Sequence, residues 1–156
     1  MEAGFETFAE VIDFAITREE AAYDFYTELS EKADDPFMKS LLSDFAYEEL
    51  QHKKLLENLA DGQSIDRFFG NITREVADMK IADSKETVEP LPDMGFKDVL
   101  TVAMKREDKS CRLYSLLAEL SEDNHVSMLF IGLAKEEAHH KLRIEQAYQD
   151  LYGREE

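Results

Sequence analysis

The sequence predicts an all-α protein, a bundle of four long helices built from two duplicated helical hairpins joined by a long crossover. Three observations point there. Glycine and proline are scarce, 6 and 3 in 156 residues, while hydrophobic residues make up 44% and charged residues 34%, a balance that favours helix in a globular chain. Four stretches carry apolar residues at steps of three and four, the signature of an amphipathic helix. The chain also repeats itself: Glu19 falls on Glu107, Glu49 on Glu137 and His52 on His140, all at an offset of 88 positions without a gap. Phe8/Phe96, Arg18/Arg106, Tyr26/Tyr114, Leu29/Leu117, Ala46/Ala134, Glu48/Glu136 and Glu57/Glu145 match at the same offset. Each copy is one helix pair, so the pattern is a duplicated two-helix unit rather than a solenoid.

The periodicity predicts the first helix over 5–31, ended by "ADDP", with Pro36 placed in the first turn of the next, where its missing N–H costs nothing. The second runs over 36–60 and stops at "DG"; the third runs over 95–120. "SEDN" breaks the third and can cap the fourth, over 125–152, which Gly153 ends. The two hairpins, 5–60 and 95–152, flank a segment, 61–94, too long for a tight turn. Its first part, "SIDRFFGNITREVADMKIAD", has room for one or two short helices, and "SKETVEPLPDM" reads as extended loop. One domain over 1–156 is the expectation, long enough for a real core.

Net charge is −17 with a pI near 4.6. Such a surface repels nucleic acid and anionic membrane and attracts cations; solubility alone would also account for it. A single cysteine, Cys111, excludes an internal disulfide and any cysteine-rich metal cluster. The acidic N-terminal stretch lacks the basic start and apolar block of a signal peptide, and no stretch is apolar for long enough to span a bilayer. The cytoplasm is the expected compartment.

The inward seam of each helix holds residues that a bundle core does not ordinarily take. On the first, Phe5, Phe8, Ile12, Ala15, Ala22, Tyr26 and Leu29 leave one slot, filled by Glu19. On the third, Phe96, Leu100, Ala103, Ser110, Tyr114 and Leu117 leave one, filled by Glu107. The second sets Glu49 and His52 among Leu42, Phe45, Leu56 and Leu59, and the fourth sets Glu137 and His140 among Phe130, Leu133, Ile144, Ala147 and Leu151. Residues three apart share a helix face, so each Glu-x-x-His points one way. Burying such charges without compensation costs several kcal/mol apiece. Two divalent cations would balance four carboxylates, with two neutral imidazoles completing a six-ligand set. Imidazole with carboxylate suits iron, manganese or zinc.

These residues resemble the ferritin-like di-metal carboxylate pattern, in which one Glu from each of two helices meets Glu-x-x-His from the other two. More narrowly the chain looks like the rubrerythrin group, through "REEAAYDFY" with Glu19, "YEELQHKKL" with Glu49 and His52, "KREDKSCRLY" with Glu107, and "KEEAHHKL" with Glu137 and His140. The resemblance implies a non-haem di-iron centre that oxidises ferrous iron with hydrogen peroxide or dioxygen, in defence against oxidative stress. Glu49 and Glu137 would be shared between the ions, Glu19 and Glu107 terminal, and His52 and His140 one to each ion. Two departures stand out. The rubredoxin-like iron domain of rubrerythrin proper needs paired Cys-x-x-Cys motifs, and a chain with one cysteine is expected to use an external electron donor. Ser110 stands where rubrerythrin has a further Glu ligand, which touches the peroxide route rather than metal binding. The alternatives are an iron-binding or storage protein without turnover, and a bundle holding zinc or manganese or no metal. Duplicated helix pairs also assemble well, so a homodimer is expected.

Beside the six, Tyr26 and Tyr114 sit two turns past Glu19 and Glu107, where a phenol can meet a metal-bound carboxylate or simply fill core. Tyr23 and Cys111 match across the repeat, one turn past the same glutamates, and the thiol reads as a small buried hydrophobe. Glu20, Glu48, Asp108 and Glu136 turn away toward solvent. His125 and His139 read as surface residues.

Overall fold

The structure, a computed structural model, describes residues 8–62 and 94–153. Every regular element among them is helical: α1 is Phe8–Lys32, α2 Pro36–Gly62, α3 Phe96–Leu120 and α4 Asn124–Tyr152. The expected short helices and extended loop of 61–94 lie almost wholly outside the described residues, as does Phe5. No described helix is long and apolar enough to cross a membrane. The chain divides into two compact units, Met1–Arg74 and Glu75–Glu156, with one hairpin in each.

In the first unit α1 packs on α2. The turn between them is built by polar chemistry. The Asp35 carboxylate accepts from the Met38 N–H at 2.8 Å, satisfying one of the donors that a helix start leaves open. Ser30 Oγ donates to the Lys39 carbonyl at 3.0 Å, and Lys39 Nζ donates to the Ser30 carbonyl at 2.8 Å. Behind this clasp Met38, Leu41, Leu42, Phe45 and Leu56 of α2 and Val11, Ile12, Ala15, Tyr26 and Leu29 of α1 are buried in the core. Tyr26 meets Phe45 edge to face at 5.6 Å.

In the second unit α3 packs on α4. Asp123 caps α4, its carboxylate accepting from the Val126 N–H at 3.0 Å, so "SEDN" acts as the sequence predicts. Gly153 closes the helix at φ 80°, its N–H donating to the Gln149 carbonyl at 2.7 Å, a conformation that favours a residue without Cβ. The clasp of the first hairpin reappears with its donor moved. Ser127 Oγ donates to the Ala118 carbonyl at 3.0 Å, and Ser127 and Ala118 are the repeat partners of Lys39 and Ser30. Tyr114 stacks on Phe130 at 6.1 Å.

Among the described residues the core departs from the seam expected of it in five places. Leu151, in the last turn of α4, is 42% exposed. Lys97 of α3 lies beside that turn, its Nζ 5.5 Å from the Tyr152 ring and 5.8 Å from that of Tyr148. Ala22, Leu59, Phe96 and Ser110 are half-buried.

Candidate metal centre

Glu19, Glu49, His52, Glu107, Glu137 and His140 are each no more than 2% exposed, with Ser30 the only other buried polar residue among those described. Their burial follows from helix geometry. Glu19 lies four residues after Ala15 and seven before Tyr26, both in the core, so the apolar stripe that docks α1 on α2 carries the carboxylate in with it. The same spacing places Glu107 four after Ala103 and seven before Tyr114.

In the first hairpin, Nδ1 of His52 lies 3.1 Å from Glu49 Oε1 and 3.6 Å from Glu19 Oε2. In the second, Nδ1 of His140 lies 3.4 Å from Glu137 Oε1 and 3.6 Å from Glu107 Oε2. None of these four approaches has hydrogen-bond geometry. In each hairpin, ligand atoms of one imidazole and two carboxylates lie within 4.8 Å of one another. Three donor atoms of this kind, turned toward a common point, form the first part of an oxygen- and nitrogen-lined site for a borderline divalent ion. Each half offers two negative charges and one neutral nitrogen, the charge of one such ion. The residues present therefore fit iron.

The flanking residues fall in place around these sets. Tyr26 and Tyr114 are fully buried. Glu20 and Glu136 are exposed, Glu48 and Asp108 half-buried, and His125 and His139 exposed. Glu20 pairs with Lys53 at 3.1 Å and Asp108 with Lys141 at 3.4 Å, the same contact in both copies of the repeat.

Cys111 is corrected by the structure. It is half-buried rather than a core residue, because it lines a groove of about 500 Å³ between α3 and α4. Burial raises the thiol above its ordinary value against a hydrogen bond from Ser115, and the Asp108 and Glu137 carboxylates push the same way as burial. Spacing alone could not show the groove, which depends on Ala134 and Ala138 being small on the facing helix.

The family model for rubrerythrin matches residues 10–90 and 98–156. No curated protein sequence matches the chain. Among solved structures, a protein of Thermotoga maritima described as a ferritin-like diiron-carboxylate protein is similar over 96% of this chain and 99% of its own, with a TM-score of 0.73 and 19% identity. That likeness shows the fold, an all-α four-helix bundle of the ferritin-like type, as the sequence predicts.

Proposed function

Since this chain belongs to the rubrerythrin family, we propose that its two donor sets complete one di-iron centre that oxidises ferrous iron with hydrogen peroxide or dioxygen. The observation that carries the reading is the duplication of one buried imidazole and two buried carboxylates at matched distances in the two hairpins. A single Glu-x-x-His in an acidic helix would mean little; two complete sets at one offset require a common cause. Four carboxylates and two imidazoles balance two divalent ions.

Two bound ferrous ions would supply the two electrons that, with two protons, convert one hydrogen peroxide to two waters. The chain does the rest. Glu19 and Glu107 would each hold one ion terminally, Glu49 and Glu137 would be shared, and His52 and His140 would each give one neutral nitrogen through Nδ1. The apolar core around the set excludes bulk water and strengthens every charge interaction within it. No residue of this chain is a second redox carrier of the Cys-x-x-Cys type, so an external donor would return the centre to its ferrous state.

Anaerobic titration of the metal-free protein with ferrous iron, followed by a stoichiometric pulse of peroxide, tests this. Two irons per chain and a rapid rise of ferric near-ultraviolet absorption are expected. Tight binding without oxidation would instead favour iron storage or handling. Failure to bind iron would sink the reading.

A further inference from the structure

The two hairpins match at the six donors and differ beside them. In the second, the groove between α3 and α4 is lined by Cys111, Ser115 and Ala118 from one helix and Ile131, Ala134 and Ala138 from the other. Its lining includes residues close in sequence to the donors. Ala134 and Ala138 flank Glu137 on α4, turned roughly 60° and 100° from it around the helix. Cys111 lies one turn past Glu107 on α3, and the Glu137 carboxylate acts on its thiol across the gap. At the matching positions of the first hairpin stand Tyr23 for Cys111 and Leu50 for Ala138. Both are half-buried. A phenol and an isobutyl group thus stand at the repeat positions of a thiol and a methyl.

We propose that this groove is the path by which the oxidant reaches the centre, through the second hairpin and not the first. The inference rests on the di-iron reading above. The occupant is a small neutral molecule, hydrogen peroxide or dioxygen, because the walls are mainly apolar and would make an ion shed its water at high cost. Glu119 and Lys135, the charged residues of the lining, are one of each sign and so favour neither cations nor anions. In a chain of net charge −17, whose acidic surface draws ferrous ions elsewhere, a neutral apolar lane separates oxidant from metal ion.

The single cysteine makes the groove testable without catalysis. A neutral maleimide should label Cys111 faster than an anionic disulfide reagent does, relative to their rates with a free thiol in the same buffer. Ala138→Leu, which copies the first hairpin, should slow that labelling. In the iron-loaded protein, Cys111→Tyr with Ala138→Leu should leave two irons bound and lower the second-order rate of oxidation by peroxide about tenfold or more, as closing a gate does. Disulfide attachment of a bulky neutral thiol to Cys111 should do the same, and dithiothreitol should restore the rate. Full iron loading with an unchanged oxidation rate in the plugged protein would overturn the path while leaving the di-iron reading intact. Labelling that ignores Ala138→Leu would overturn it whether or not iron is oxidised. Protection of Cys111 that grows with protein concentration would mean a second copy covers the groove, and would also overturn it.

Discussion

The first and second hairpins have the same donors and different flanks. Imidazole to the Glu of the facing helix is 3.6 Å in both, and imidazole to the Glu on its own helix is 3.1 Å in one and 3.4 Å in the other. Within one turn of the donors the copies part: Tyr23 against Cys111, Leu50 against Ala138, Tyr47 against Lys135. Even the aromatic support shifts, Tyr26 resting on Phe45 and Tyr114 on Phe130, although the repeat partner of Phe45 is Leu133. Packing can be exchanged between apolar side chains at small cost, whereas a carboxylate cannot be exchanged in a buried donor set. On the di-iron reading, what is held constant is the donor set, and what varies is the flank proposed as the way in.

Removing one donor gives the largest effect and asks whether the hairpins act together. Glu49→Ala should weaken ferrous binding at least ~100-fold, since even residues that only support a ligand are worth 10–100-fold. In a joint site the loss extends to the ion held by the second hairpin, so stoichiometry falls below one per chain. Independent half-sites would keep one iron, and calorimetric titration separates the two outcomes. Glu137→Ala should behave identically.

The same carboxylates should lower the stability of the metal-free protein. Glu19→Leu with Glu107→Leu replaces two buried charges by groups that a bundle core accepts, and such exchanges stabilise by roughly 1–4 kcal/mol. The metal-free double variant is therefore expected to melt several degrees higher while losing iron. Thermal denaturation in chelator checks it; a lower melting temperature would mean the glutamates are held by structural pairing and not by the demand of an ion.

Much of this was legible in the sequence. The spacing of Glu19 between Ala15 and Tyr26, and of Glu107 between Ala103 and Tyr114, is enough to put both in the seam, because helix periodicity converts position directly into face. The bounds of the helices were legible for the same reason, to within a few residues. The full width of the core was not. Val11 beside Ile12, Leu41 beside Leu42, Leu113 beside Tyr114 and Leu116 beside Leu117 are also buried, since a helix packed in a globular unit buries a face wider than one narrow seam. The groove was hidden as well, because an absence of side chain on α4 matters only once α3 faces it. Leu151 kept the period and lost the burial.

Helix caps give a smaller effect and compare the two turns. Asp35 and Asp123 make the same carboxylate-to-amide bond, at 2.8 and 3.0 Å. Asp35→Ala and Asp123→Ala should each cost about 1 kcal/mol. In a chain of this size that lowers the melting temperature by about 2–4 °C. The Asp35 variant should suffer less, because Ser30 and Lys39 clasp that turn helix to helix in both directions, while at the other Ser127 reaches Ala118 in one direction and Ser121 bonds only within the turn. Equal losses would mean the clasp adds nothing.

The smallest effect belongs to the repeated surface pair, Lys53 with Glu20 and Lys141 with Asp108. Both are accessible to water, so each is screened and pays side-chain entropy for its geometry. Lys53→Met should move the melting temperature by about 1 °C or less at physiological salt, and Lys141→Met by no more. A distinction should appear at high pH. The hydrogen bond to Glu20 raises the Lys53 amine above its ordinary value, so the folded protein holds that proton more tightly than the unfolded chain does. The contribution is fully present at neutral pH, and it is lost only as pH climbs past the ordinary lysine value and through the raised one. The difference between wild type and Lys53→Met should therefore be constant from pH 6 to 9 and vanish in strong alkali. A difference that fades near neutral pH would place its origin in some group other than this amine.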